Sequence, residues 1–239
     1  SGLQYFEFLP ETQRDHILKS SNWWRVGLLR DPYARLYSVW ENRVLLRAPS
    51  PWLKNFQHKC SEVLIDGRLD YAASFRKFVN VLRAEPEIFG DDPHFKSQRT
   101  HLGGDQVAFT HLFRVDKPGE LDIFATQLGQ RVGMKIEPRR LNEGLGLKHL
   151  DVMDAQTASV VEQIYEDDFD AYGFERVSFP SISPIALASV GETKAINYAR
   201  DVTARLVQLS QLARYRQRSR YLLAQILRNS GLRRHKKHR

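Results

Sequence analysis

The segment at residues 24–38, WRVGLLRDPYARLYS, constrains the fold of this chain more than any other part of it. Its apolar run at residues 26–29 is typical of a short buried strand. Asp31 and Pro32 follow as a helix N-cap and a proline at the first helical position. The segment therefore predicts a strand that runs directly into a helix, with Arg30 at the carboxyl end of the strand.

The helix that begins here is predicted to cover residues 33–47. Ser38 lies two turns into it, about 10 Å along the axis from the cap, so Arg30 and Ser38 could hold one phosphate from two sides. The helix carries a stripe with spacing i, i+3, i+4 and i+7, formed by the apolar residues Leu36, Val39 and Trp40 and by Arg43 at its edge. Arg35 and Arg43 lie on its flanks, where we expect them to be solvated or salt-bridged.

Strands and helices are predicted to alternate along most of the chain. Strands are expected at residues 24–29 and 107–114, and long irregular connections at residues 49–59 and 85–103. Helical patterns cover residues 11–18, 33–47, 71–83 and 119–130. This alternation favours parallel α/β layering, in which a ligand binds at the carboxyl ends of the strands.

The motif R-D-P-x-x-R-L-x-S, which runs from Arg30 to Ser38, resembles the signature of carbohydrate-type sulfotransferases. Looser similarity continues in the family's order through most of residues 10–180, and its pieces are residues 92–98, 109–114, 121–128, 141–142 and 164–174. The resemblance implies an α/β fold with a P-loop-kinase-like parallel sheet flanked by helices, followed by a helix-rich C-terminal part. It also implies that Arg30 and Ser38 bind the 3′-phosphate of the donor, 3′-phosphoadenosine 5′-phosphosulfate.

The function implied is transfer of a sulfuryl group to a hydroxyl of a carbohydrate or a related small-molecule acceptor. Such a transfer needs a base for the hydroxyl proton, and histidine suits this role. His94 is the candidate base, because it lies in the segment that resembles the family's H-W-x-P-Q. Lys96 and Gln98 beside it are candidate acceptor contacts. His101 and His111 are alternative bases, although a position on a strand favours a hydrogen-bonded core role for His111.

Gly144 and Lys148 are candidate donor contacts, because two glycines near a lysine let backbone amides and an ammonium approach one phosphate. An ordinary turn after Asn142 explains this pattern equally well. Sulfotransferases normally open with a strand and a Lys/Gly/Thr loop that holds the 5′-phosphosulfate, yet residues 1–29 contain only two glycines. We expect either a preceding segment to supply this loop, or the chain to be a catalytically inactive nucleotide- or polyanion-binding module.

The positive charge of the chain is concentrated in its last forty residues. Residues 200–239 hold 12 of the 36 lysines and arginines but one of the 28 acidic residues, so this part carries +11 and the rest −3. We predict a sulfotransferase-like domain at 1–180, a linker at 181–193 and a basic helical tail at 194–239 with a disordered end. An anionic membrane surface, another polyanion, or docking on the body or a second subunit remain open as partners of the tail.

Other classes of function have less support. Cys60 is the single cysteine, so neither an internal disulfide nor a cysteine-rich zinc site can form, and the resemblance asks for no metal. The acidic balance outside the tail and the lack of a recognisable nucleic-acid-reading motif disfavour a nucleic-acid-binding protein.

No apolar run is long enough to cross a membrane. We therefore expect a cytoplasmic, membrane-peripheral protein, with a Golgi-lumenal catalytic fragment as the alternative.

The segment at residues 164–174, IYEDDFDAYGF, is expected to pack as one helix and its exit. Its aromatic residues are spaced as a core stripe and are predicted to be packing residues: Tyr165, Phe169, Tyr172 and Phe174. Its acidic residues are predicted to form the solvated face: Glu166, Asp167, Asp168 and Asp170.

Overall fold

The structure is a computed structural model that describes residues 8–47, 53–138, 145–182 and 187–229, without the side chains of residues 53–54 and 214–229. The elements of the first half are α1 (Glu11–Lys19), β1 (Val26–Leu29), α2 (Pro32–Val39) with a π-helical extension (Trp40–Leu45), α3 (Leu53–Phe56), β2 (Val63–Ile65), β3 (Arg68–Asp70) and α4 (Tyr71–Ala84). Those of the second half are α5 (Gln98–His101), β4 (His111–Arg114), α6 (Glu120–Val132), α7 (His149–Val152), α8 (Ala155–Ile164), α9 (Glu166–Tyr172) and α10 (Val190–Asn229), with 3₁₀ turns at Pro86–Phe89 and Gly104–Gln106.

The two predicted strands form a parallel sheet, although each is shorter than expected. β1 pairs with β4 in a register that places Val26 opposite His111 and Leu29 opposite Arg114. The protein is thus a mixed α/β structure with a small two-stranded parallel sheet. Within the residues that the structure describes, no third strand joins this sheet, so the P-loop-kinase-like architecture stays a prediction.

The four predicted helices are present, with ends within two residues of the expected ones. The boundary at the start of α2 is as predicted, because the carboxylate of Asp31 accepts a hydrogen bond from the backbone N–H of Ala34 at 2.9 Å and Pro32 is the first helical residue. After Val39 the helix widens, and the N–H of Leu46 reaches the carbonyl of Glu41 at 2.8 Å in an i to i−5 bond. Such π-helical turns are concentrated at functional sites.

The main core lies where α2, α4 and α8 meet. The predicted apolar stripe of α2 faces this core, with Leu36, Val39 and Trp40 buried. The Trp40 ring meets that of Phe75 edge-on, with ring centroids 5.4 Å apart. Aromatic pairs in this geometry add about 0.5 to 1.5 kcal/mol to the free energy of area burial. This packing fixes α2, and therefore the residues at its start, against the rest of the domain.

The connections predicted to be irregular contain short helical elements instead. Residues 49–59 include α3, and residues 85–103 include a 3₁₀ turn and α5. The stacked rings of Phe56 and Phe89 join the two connections, with centroids 4.9 Å apart. Burial of these aromatic side chains explains why the connections are ordered into turns.

A β-hairpin of β2 and β3, which was not predicted from the sequence, precedes α4. Its turn residues Asp66 and Gly67 both have positive φ, at 50° and 73°. Asp-Gly is the sequence that favours this type of two-residue turn, so the local signal was present at these positions. The strands are short and contain exposed apolar residues, which weakens the alternation that reveals longer strands.

Residues 187–188, within the range predicted as a linker, are attached to the body. Leu187 forms an antiparallel bridge with Asp70, and the N–H of Ala188 donates to the carbonyl of Leu69 at 2.8 Å. α10 then begins at Val190, earlier than the predicted start of the tail, and Ile196 is buried. The proposed division into domain, linker and tail stays a prediction, and the end at residues 230–239 lies outside the described residues.

Candidate functional site

The backbone of Arg30 is held at the end of β1 by the side chain of Gln98. The Gln98 amide oxygen accepts from the Arg30 N–H at 2.9 Å, and its NH₂ group donates to the Arg30 carbonyl at 2.9 Å. Gln98 is buried. Its side-chain amide pairs with the N–H and the carbonyl of Arg30, as the backbone of a neighbouring strand would. Gln98 was predicted as an acceptor contact, and the structure places its side chain against the backbone of Arg30.

Gln98 is itself positioned by Asp168, and the prediction that Asp168 lies on a solvated face is wrong. Asp168 has 0% of its surface exposed. Its two carboxylate oxygens accept from the backbone N–H groups of Gln98 and Arg99, both at 2.8 Å. A carboxylate at the first N–H groups of a helix satisfies donors that have no intrahelical partner. Asp168 can therefore lie in the core next to Phe169, because the backbone N–H groups of Gln98 and Arg99 donate to its carboxylate.

The guanidinium of Arg30 faces solvent and has no hydrogen bond or ion pair to any residue in the described part of the chain. Desolvation by the surrounding protein lowers its pKa, while the negative charges of Asp116, Asp31 and Glu41 act in the opposite direction. An arginine has five N–H donors and no acceptor. Its unused donors can therefore bind an anion at the carboxyl edge of the sheet.

Asp116 joins the turn after β4 to the turn after β1. It accepts from the N–H of Asp31 at 3.1 Å and from the Arg114 guanidinium at 3.2 and 2.8 Å. Burial opposes ionisation of Asp116, but the hydrogen bonds and charge of Arg114 outweigh burial and leave its pKa below the ordinary value. The carboxyl ends of both parallel strands are thus fixed to each other directly beside Arg30.

Ser38 lies on the face of α2 that also carries Ala34 and the first residues of the π-helical extension. It is partly exposed, and no hydrogen bond of its hydroxyl joins it to a described residue. Glu41, one turn further on, is buried and accepts from the N–H of Leu145 at 2.7 Å. This bond places the segment that begins at Leu145 beside the face that carries Ser38.

His149 lies near Arg30, although no pattern in the sequence singled it out. It begins α7 and lies close enough to Arg30 and Asp31 for their charges to act on it. Burial lowers the pKa of His149, and Arg30 lowers it further, against the opposing effect of Asp31. Only folding brings residue 149 to residue 30, so no local signal in the sequence could have identified it.

The two predicted donor contacts in this segment have different positions. Lys148 is exposed and directly precedes α7, and its backbone N–H donates to the carboxylate of Asp151 at 2.7 Å. Its charge acts on neighbouring His149. Gly144 lies outside the described residues. The structure therefore connects Leu145 to Glu41 and brings His149, with Lys148 next to it in the chain, near Arg30.

His94, the predicted base, is held between an acid and an arginine. Its Nδ1 lies 2.5 Å from Asp92, and its Nε2 lies 3.2 Å from the guanidinium of Arg43. Because a guanidinium only donates, Nε2 is the acceptor here and Nδ1–H donates to the carboxylate. This is the tautomer of a histidine whose Nε2 can accept a proton. In the structure, this nitrogen already accepts a hydrogen bond from the guanidinium of Arg43.

The segment around His94 is also tied to α2 by Arg35. Its guanidinium donates to the carbonyl of Pro93 at 3.1 Å and lies 5.8 Å from the centre of the Tyr165 ring. Lys96, a predicted acceptor contact, forms an ion pair with Asp91 at 2.9 Å. Arg35 of α2 and Arg43 of its π-helical extension therefore both contact the segment at residues 91–96.

The two alternative bases, His101 and His111, lie on α5 and β4. His111 lies on β4, where its Nδ1 accepts from the indole N–H of Trp24 at 3.1 Å and its ring stacks on Phe113. The hydrogen bond agrees with the structural role expected for it, although His111 is exposed rather than part of the core. His101 is exposed at the end of α5. Within the described ranges, no group of three or more His, Cys, Asp or Glu side chains is arranged to hold a metal ion.

Comparison with known proteins identifies no relative of this chain. No family model, curated protein or solved structure matches the chain. The candidate site is therefore defined by its own residues.

Proposed function

We propose that this protein is a sulfotransferase that uses 3′-phosphoadenosine 5′-phosphosulfate and a hydroxyl acceptor of carbohydrate or related type. The observation that carries the proposal is the guanidinium of Arg30. It lies at the carboxyl end of a parallel strand with its donors unused by any described residue, while Gln98 fixes its backbone. In this proposal Arg30 and Ser38 bind the 3′-phosphate, and Lys148 approaches the same nucleotide from the segment that follows Gly144.

The reaction requires a new bond between the acceptor oxygen and sulfur while the bond from sulfur to the 5′-phosphate oxygen breaks. The proton of the acceptor hydroxyl passes to a base, and 3′-phosphoadenosine 5′-phosphate leaves with additional negative charge. His94 is the proposed base, with Asp92 holding Nδ1–H so that Nε2 can accept the proton. Lys96 and Gln98 are the proposed acceptor contacts; Gln98 is already engaged by Arg30, so Lys96 is the more accessible of the two.

The second candidate is a catalytically inactive module that binds nucleotides or other polyanions. The contact that favours it is the one between His94 and Arg43, because an acceptor hydroxyl could reach Nε2 only after Arg43 moves. Such a module would keep the anion site at Arg30 and would transfer no sulfuryl group.

Calorimetric titration with 3′-phosphoadenosine 5′-phosphate tests the donor site common to both candidates. Arg30→Ala and Ser38→Ala should each weaken binding, Arg30→Ala by about tenfold or more because a charge-assisted hydrogen bond is lost. Arg83→Ala removes an equal charge from an exposed position on α4 and should leave affinity unchanged. Wild-type affinity in both Arg30→Ala and Ser38→Ala would remove the donor-site assignment.

Transfer of labelled sulfur from the donor to a panel of unsulfated polysaccharides and simple sugars separates the two candidates. A sulfotransferase should label at least one acceptor, and His94→Asn should abolish labelling while binding of 3′-phosphoadenosine 5′-phosphate stays intact. Nucleotide binding without labelling of any acceptor would support the inactive module. Labelling at the wild-type rate by His94→Asn would exclude His94 as the base.

A further inference from the structure

The helix α10 has two different faces, and the body of the protein covers one of them. Ile196 and Arg200 are buried, and Thr203 and Val207 continue this face as partly exposed residues. Positions 196, 200, 203 and 207 recur at the three- and four-residue spacing of one helix face. All described residues from 208 to 213 are exposed. α10 therefore runs along the body in its first turns and then leaves it.

The opposite face of α10 carries an apolar stripe that no described part of the body covers. Leu206, Leu209 and Leu212 are 61%, 61% and 60% exposed. Tyr198 and Val202 extend the stripe toward the start of the helix and are also exposed. Docking of this stripe on the body was an open alternative for the tail. The body contact uses the other face, so the stripe needs an occupant from outside the described structure.

The positively charged residues beside the stripe indicate which kind of partner could cover it. Lys194 and Arg205 are exposed and lie one turn from Tyr198 and Leu209, and the helical sequence continues with arginines at 214, 216, 218, 220 and 228. Two copies of such a helix would bring like charges together, which destabilises a paired dimer. A nucleic acid would neutralise the charge but would leave the exposed leucines in water. A surface that is both anionic and apolar satisfies both features.

We propose that α10 is a membrane-surface anchor that lies in the headgroup region of anionic lipids. The stripe of Tyr198, Val202, Leu206, Leu209 and Leu212 inserts toward the acyl chains, and the lysines and arginines remain with the headgroups. No helix in the described part of the chain is both long and apolar enough to cross a bilayer, so α10 lies along the surface. The anchor is independent of the proposed sulfotransferase activity, since none of these residues belongs to the Arg30 site.

Vesicle co-sedimentation of the full chain tests this proposal. Wild-type protein should bind vesicles of phosphatidylcholine mixed with phosphatidylserine and should bind pure phosphatidylcholine much less, with binding reduced by salt. The triple variant Leu206→Gln, Leu209→Gln, Leu212→Gln should bind the mixed vesicles at least about tenfold less well, because three apolar side chains no longer insert. All three positions are exposed, so the body should fold normally in this variant.

The matched control changes three exposed positions outside the stripe, Ala204→Gln, Gln208→Asn and Gln211→Asn, and should bind the mixed vesicles as wild type does. Undiminished binding by the leucine variant would show attachment through charge alone and would overturn the proposal. Sedimentation velocity without lipid provides a second test. A dimer that forms with rising concentration and is lost in the leucine variant would assign the stripe to a second copy of the chain.

Discussion

At the scale of single residues, the candidate site depends on two polar side chains that act through the backbone. Gln98 binds both backbone groups of Arg30, and Asp168 binds the backbone N–H groups of Gln98 and Arg99. These contacts connect α9 to the candidate site at Arg30 through α5. A buried carboxylate is tolerated only when hydrogen bonds replace its hydration, and two backbone donors meet that condition here.

Replacing Asp168 tests the importance of this cap. Asp168→Asn should lower the free energy of unfolding by about 2 kcal/mol, because an amide offers one acceptor oxygen where the carboxylate offers two and leaves one buried N–H unpaired. Asp167→Asn is the matched control, since Asp167 is exposed on the same helix, and it should change stability little. Urea denaturation measures both variants. Equal stability of the two would contradict the buried cap.

At the scale of elements, local backbone geometry explains where the chain turns. The hairpin of β2 and β3 depends on Asp66 and Gly67, both with positive φ. α10 begins with a reciprocal cap in which the Ser189 N–H donates to the Glu192 carboxylate at 2.7 Å and the Glu192 N–H donates to the Ser189 hydroxyl at 3.1 Å. Each of these two places also contains a glycine: Gly67 in the hairpin turn has a positive φ, whereas Gly191 lies in the first turn of α10.

Paired glycine substitutions test this difference. Gly67→Ala should destabilise the protein by about 1 kcal/mol, because φ of 73° is unfavourable for any residue with a Cβ. Gly191→Ala should stabilise it by about 0.5 kcal/mol, since position 191 is helical and the nearest atom to a new Cβ is the Ser189 hydroxyl at 3.8 Å. Thermal unfolding of both variants is the measurement. A stabilising effect at position 67 would be inconsistent with the hairpin turn.

At the scale of the whole molecule, one arginine joins α10 to the π-helical extension of α2. Arg200 is buried, and its Nε donates to the carbonyl of Leu45 at 2.6 Å at the end of the π-helical extension. Its Nη1 donates to the carboxylate of Glu62 at 2.7 Å. Burial lowers the pKa of Arg200, while Glu62 opposes that effect. The proposed membrane anchor therefore begins from a point fixed to the core of the body.

Removing this connection should have a large effect. Arg200→Met should lower the free energy of unfolding by about 3 kcal/mol, because it removes the donor to the Leu45 carbonyl and leaves Glu62 with only its 3.5 Å ion pair to Arg47. Arg205→Met is the control, since Arg205 is exposed one turn further along α10. Urea denaturation should separate the two variants. A similar stability for both would show that α10 is not anchored through Arg200.

Much of the local structure could be predicted from the sequence, because its signals lie within a few residues of each other. Apolar periodicity identified the helix at 71–83, and the pair Asp31 and Pro32 marked the start of α2. The aromatic residues of 164–174 were correctly expected to pack, with Tyr165 and Phe169 buried. The burial of Asp168 could not be predicted in the same way, because its donors lie 70 residues away on α5.

The sequence alone determined that Arg30 follows a strand and precedes a proline-started helix, and it determined the concentration of positive charge in the last forty residues. Only the tertiary structure decided that His149 and Leu145 lie beside α2, that Gln98 holds the backbone of Arg30, and that the apolar stripe of α10 faces away from the body. The physical reason is the range of the interactions. Propensity, capping and periodicity act between neighbours in the chain, whereas burial and the pairing of buried polar groups depend on which distant segments the folded chain brings together.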